Sequence, residues 1–81
     1  MINVDGVAEG HFRENLLGQN LNRFYESPTA SDQPELFYID KILTEIIKNG
    51  QKVAIYLDLH GHLNAGGIFV YGNYYPNLEV L

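Results

Sequence analysis

The stretch "KVAIYLDLH", residues 52–60, limits what this chain can fold into more than any other. Val53, Ile55, Leu57 and Leu59 alternate at the period of a β-strand. Ala54 and Tyr56 keep the opposite face largely apolar until Asp58 interrupts it. A strand with two apolar faces calls for cover on both sides, as in the interior of an α/β sheet. The chain has 81 residues, room for one small domain at most. A chain of that size buries only roughly 60% of its unfolded surface, and one helix beside one strand cannot cover both faces. After the loop "GHLNAGG", "IFVYG" (residues 68–72) reads as a second short strand. The expected fold is α/β, a piece of a larger sheet.

The helix of that fold is placed by "SPTASDQPELFYIDKILTEIIKNG". Ile39, Ile42, Leu43, Ile46 and Ile47 share one face at helical spacing. Asp40, Glu45 and Lys48 lie on the other, as a solvated surface. Ser31 or Asp32 is placed to cap the start, Pro34 suits the first turn and Gly50 the end. Residues 1–31 are weakly patterned. "NVDGV" reads as a turn, and "EGHFRENLLGQNLNRFY" has neither a strand nor a helix period. A stretch that long without regular structure is either a surface loop or the frame of a site. "NYYPNLEVL", at the end, has no period.

Composition narrows the function classes. The formal charge is −5 and the five basic residues are scattered, which argues against a nucleic-acid partner, since that needs a basic patch. Cysteine is absent, so neither a disulfide nor a thiolate metal site supports the core. No apolar run approaches the ~20 residues that span a bilayer, and "MINVDGVAEG" lacks the basic start and apolar run of a signal peptide. These features predict a cytoplasmic chain with no membrane partner.

Two clusters carry candidate chemistry. His60 stands where the first strand leaves its sheet, and side chains at the carboxyl ends of α/β strands commonly line sites. A neutral imidazole there can ligate zinc or act as a base; the alternative is a polar strand end with no chemistry, and for His62 a hydrogen-bonded loop histidine. Asp58, two residues earlier, falls on the same side as His60 and can orient it. In "LNRFY", Asn22 and Arg23 are adjacent on a loop or a short helix start. An arginine fork with an amide beside it can cradle a carboxylate. Taken alone, Arg23 and Arg13 read equally as ordinary surface arginines.

"NVDGV", "GHFRENLLGQNLNRFY" and "YLDLHGHLNAGGIFVYGN", in that order, resemble the zinc metallocarboxypeptidases of the carboxypeptidase A superfamily, in their cytosolic carboxypeptidase branch. The resemblance covers nearly the whole chain. It implies a fragment of a mixed-sheet α/β/α, carboxypeptidase-like (phosphorylase/hydrolase-like) catalytic domain over residues 1–81. It implies a hydrolase acting on C-terminal peptide bonds, with peptide or protein tails as substrates, including glutamates on tubulin-like tails. By the same resemblance His60 is a zinc ligand, Asn22 and Arg23 hold the substrate carboxylate, and Arg13 stabilises the oxyanion. Tyr71 belongs to packing.

Departures accompany the match. Val4 stands where the branch has proline, Asn20 where it has aspartate and Leu63 where it has serine. "NAGG" replaces a basic loop. The His-x-x-Glu pair that supplies two further zinc ligands is missing; His11 and Glu14 match its letters but sit in the loop that carries Arg13. The catalytic glutamate is missing too. One histidine cannot hold a catalytic zinc, so the isolated chain is expected to be inactive without the rest of a catalytic domain. Whether it belongs to an enzyme stays open at this stage. The alternative is a non-catalytic remnant or interaction module that binds acidic or C-terminal peptide tails through Arg13 and Arg23.

Overall fold

The computed structural model describes residues 1–73. Its longest element is a helix, and its elements in order are α1 (Val4–Ala8), a 3-10 turn (Leu21–Arg23) and α2 (Pro34–Lys48). The α/β expectation is corrected here. Among the described residues there is no β-strand, and the one β contact is an isolated antiparallel bridge between Glu14 and Asn20. Residues 52–60 and 68–72, read from sequence as strands, carry no regular structure. The physical reason is the absence of a partner: strand propensity records how side chains fit a pleated, half-buried surface, and a lone strand has no ladder to complete. The unpatterned stretch at residues 74–81 lies outside the described residues.

α2 follows its spacing. Pro34 occupies the first helical position, where no N–H is needed. The residue before it, Gln33, is the N-cap and makes no side-chain cap bond. Ser31 and Asp32, the sequence candidates for that role, bond to each other instead, Ser31 Oγ donating to Asp32 Oδ1 at 2.7 Å. The far end closes as a Schellman motif. Gly50 N–H donates to Ile47 O at 3.0 Å and Gln51 N–H to Ile46 O at 3.1 Å, with Gly50 at φ 75°. Because a side chain at that φ is strained, Gly50→Ala is expected to cost about 1 kcal/mol. Urea denaturation followed by helix ellipticity measures it, and a neutral result would contradict the cap.

The apolar face of α2 is covered only in part. Leu36 is 2% exposed, and with Leu21 it makes up the buried apolar core of the described residues. Ile42 and Ile47, on the same face by spacing, are exposed. The Cα radius of gyration is 15.4 Å, against about 12 Å for a compact domain of this length. Apolar burial therefore contributes little to holding the first half of the chain together.

Amide side chains do that work. Asn15, 3% exposed, uses both ends of its carboxamide. Its Oδ1 accepts from Leu17 N–H at 3.0 Å and Gln19 N–H at 2.9 Å. Its Nδ2 donates to Asp32 O at 3.0 Å and Gln19 Oε1 at 3.3 Å. Buried Gln33 extends the network, with Nε2 donating to Gln19 Oε1 at 2.8 Å and Oε1 accepting from Thr29 N–H at 3.0 Å. Asn3 ties in α1: its Oδ1 accepts from Gly6 N–H at 3.2 Å and its Nδ2 donates to Glu14 O at 2.9 Å. Asp5 and Gly6, read as a turn, thus lie inside a short capped helix.

Candidate functional site

The polar network sets out the loop that displays the candidate residues. Arg13 is exposed, with its guanidinium carbon 5.8 Å from the centroid of the exposed Phe12 ring. Asn22 and Arg23 form the 3-10 turn together with Leu21. Asn20 caps it, its Oδ1 accepting from Asn22 N–H at 3.1 Å. The cap is thus an uncharged amide, which places no charge beside Arg23. Leu21 is buried beneath the turn, so Asn22 and Arg23 point outward and are exposed. Arg23 Nη1 donates only to Asn22 O, at 3.3 Å. Among the described residues, neither arginine is paired with a carboxylate.

Asp58 and His60 do meet, as their spacing suggested, although no strand carries them. His60 Nε2 lies 2.9 Å from Asp58 Oδ2. The same oxygen accepts from the Tyr25 hydroxyl at 3.1 Å. Tyr25 is the participant that sequence reasoning missed. It ends the "LNRFY" cluster, two residues after Arg23, but 33 positions separate it from Asp58 and no local spacing signals the contact. Its ring lies with Leu36, Ile39, Asp40, Leu43 and Tyr56 around a shallow hollow on α2. Tyr25 therefore connects the arginine turn to residues 56–60. No hydrogen bond or ring contact among the described residues joins Arg13 to Asn22, Arg23 or His60.

Burial pushes the Tyr25 phenol well above its ordinary value, reinforced by the Tyr56 hydrogen bond and the Asp58 charge. The raised value means that the folded chain holds this proton more tightly than the unfolded chain does. Its contribution to stability is complete below the ordinary phenol pKa of about 10 and is lost as pH rises beyond it. Absorbance titration of the tyrosinates should show a component ionising well above the ordinary phenol range. That late component should vanish in Tyr25→Phe; its survival in the variant would contradict the assignment.

The residues present do not fit a catalytic zinc. Such a site takes three protein ligands, and among the described residues no three His, Asp or Glu side chains converge. The three histidines are in separate surroundings. His11 Nδ1 is 3.1 Å from Asn15 O. His60 is paired with Asp58. The His62 ring stacks edge-on to Phe69 at 5.2 Å. The zinc-ligand role of His60, and with it the reading of the chain as a zinc protease segment, is corrected on this ground.

Comparison with known proteins gives a consistent but limited likeness. The chain is 38% identical over 74 residues to cytosolic carboxypeptidase 6 of Caenorhabditis elegans, which covers 90% of this chain and 16% of that protein. It is 36% identical over 72 residues to cytosolic carboxypeptidase 4 of Homo sapiens, covering 89% of this chain and 6% of that protein. Cytosolic carboxypeptidase 3 of Mus musculus is 38% identical over 72 residues, with 89% and 7% covered. The chain thus spans about one sixth or less of the curated relatives it matches. No family model and no solved structure matches it. The likeness is distant homology to cytosolic carboxypeptidases. The sheet and the ligand cluster that the resemblance implies are missing from the described residues.

Proposed function

We propose that this chain is a non-catalytic interaction module that binds peptide tails ending in a free carboxylate or bearing acidic side chains. The observation that carries the reading is the state of Arg13 and Arg23: both are exposed, and neither has a carboxylate partner among the described residues. A guanidinium presents a planar fork of donors that matches a carboxylate bidentately. Asn22 stands beside Arg23 on the capped turn and adds a carboxamide donor to the same surface. The net charge of −5 works against acidic ligands at long range, so recognition is short-ranged and local to the arginines.

The module acts in the cytoplasm. The relatives' names carry the word cytosolic, and no described helix is long and apolar enough to cross a membrane. The acidic balance and scattered basic residues disfavour a nucleic-acid partner.

Fluorescence anisotropy with a labelled acidic peptide tests the reading. Arg23→Ala is expected to weaken binding about tenfold or more, the size of one charge-assisted contact. Arg13→Ala should weaken it to a smaller degree. Unchanged affinity in both variants would overturn the proposal.

A further inference from the structure

The segment after α2 shows period two in its contacts. Tyr56 and Asp58 engage Tyr25. Of the alternate residues, Ile55, Leu57 and Leu59 are 71%, 66% and 89% exposed, and Val53 is 40% exposed. Among the described residues, no backbone–backbone hydrogen bond reaches positions 52–72. A β-prone run with unpaired backbone groups and an exposed apolar row is a template for another strand. We propose that residues 52–58 pair antiparallel with the same residues of a second copy of this chain, across a two-fold axis at Ile55.

The sequence "KVAIYLD" complements its own reverse in that register. Lys52 of each copy faces Asp58 of the other; Tyr25 and His60 both take Asp58 Oδ2, and the facing Lys52 takes Oδ1, so the only two charges of the segment meet their opposites at both ends. Val53 faces Leu57, small Ala54 faces Tyr56, and Ile55 faces itself. Opposite charges and β-branched or aromatic residues are the favourable cross-strand pairs. A two-fold axis requires this reciprocal matching of each position with its counterpart. A shift of one residue along the strand would lose both charge pairs. Charge complementarity thus selects a second copy as the occupant. The proposal does not depend on the tail-binding reading, which concerns the arginine loops.

Sedimentation equilibrium of the unmodified chain should show a monomer–dimer equilibrium. Lys52→Glu should shift it toward monomer by about tenfold or more in Kd, and the double exchange Lys52→Glu/Asp58→Lys should restore it. Register is read by cross-linking. The chain has no cysteine, so Ile55→Cys introduces one thiol, opposite its own copy at disulfide distance. It should oxidise rapidly to a covalent dimer. Leu59→Cys is more exposed, but in this register its two copies are separated by about 27 Å, eight residues of strand, and it should not cross-link. A chain that stays monomeric at millimolar concentration overturns the proposal. So does cross-linking of Leu59→Cys at the rate of Ile55→Cys.

Discussion

Asn15→Leu is expected to destabilise and locally open the first half of the chain. The substitution keeps the branched shape and heavy-atom count of the side chain but removes two acceptor and two donor bonds at a residue that is 3% exposed. Leu17 N–H and Gln19 N–H lose their shared acceptor, and Asp32 O loses its donor. Each buried polar group left unpaired costs about 1–3 kcal/mol. Water reaches part of the site as it opens, so the expected loss is about 3 kcal/mol in total. A chain of this size has roughly 4–12 kcal/mol to lose, at 0.05–0.15 kcal/mol per residue, and this chain buries few apolar side chains. Amide exchange by NMR reads the effect directly. Leu17 and Gln19 amides should lose protection while Glu45-bonded Asn49, at the far end of α2, keeps it. Preserved protection at Gln19 would mean that the network does not hold the loop.

Gly6→Ala is the second large loss, and its sign is decided by a contest. Alanine is the better helix former by about 1 kcal/mol, and Gly6 lies inside α1 without a positive φ. Helix propensity alone predicts stabilisation. Yet an added Cβ would strike Glu14 O and the Asn3 carboxamide. The asparagine can swing away, but only by giving up Gly6 N–H and Glu14 O, the two bonds that hold α1 against the loop. The backbone oxygen cannot yield without moving the Glu14–Asn20 bridge. Steric overlap should win by about 2 kcal/mol, within the range of overpacked sites. Gly10→Ala is the control, since nothing lies within 4 Å of its added Cβ and only its φ of 80° resists. Thermal melts of the two variants separate the effects. A melting temperature for Gly6→Ala at or above that of the unmodified chain would contradict the close approach.

How much of this was legible in the sequence depends on how local the signal was. α2 was legible because its apolar residues recur within one helix and its stop is a single glycine, Gly50. The turn at Asn22 and Arg23 was legible as a loop or short helix start, but its cap, Asn20, just before Leu21, was not read as one. The N-terminal half was not. It is organised by Asn3, Asn15, Gln19 and Gln33, and carboxamides that bond to backbone leave no hydrophobic period to read. Residues 52–60 carry a clear strand period, but a strand forms by pairing, and pairing is non-local. Their side chains therefore predicted a sheet that the described residues do not build. At the candidate site, the Asp58–His60 contact was visible from a two-residue spacing, whereas the Tyr25 contact to the same oxygen was not. The zinc role of His60 came from resemblance, which transfers a ligand without its partners; geometry is what withdrew it.

The central claim is that the chain recognises a carboxylate without metal chemistry. Titration calorimetry in the presence of a chelator tests it most directly, with one acidic peptide prepared both as the free acid and as the C-terminal amide. The account predicts that the free acid binds, that the amide binds several-fold more weakly, and that neither peptide is shortened when the mixture is analysed by mass afterwards. Equal heats for the two forms, or no binding by either, would contradict it.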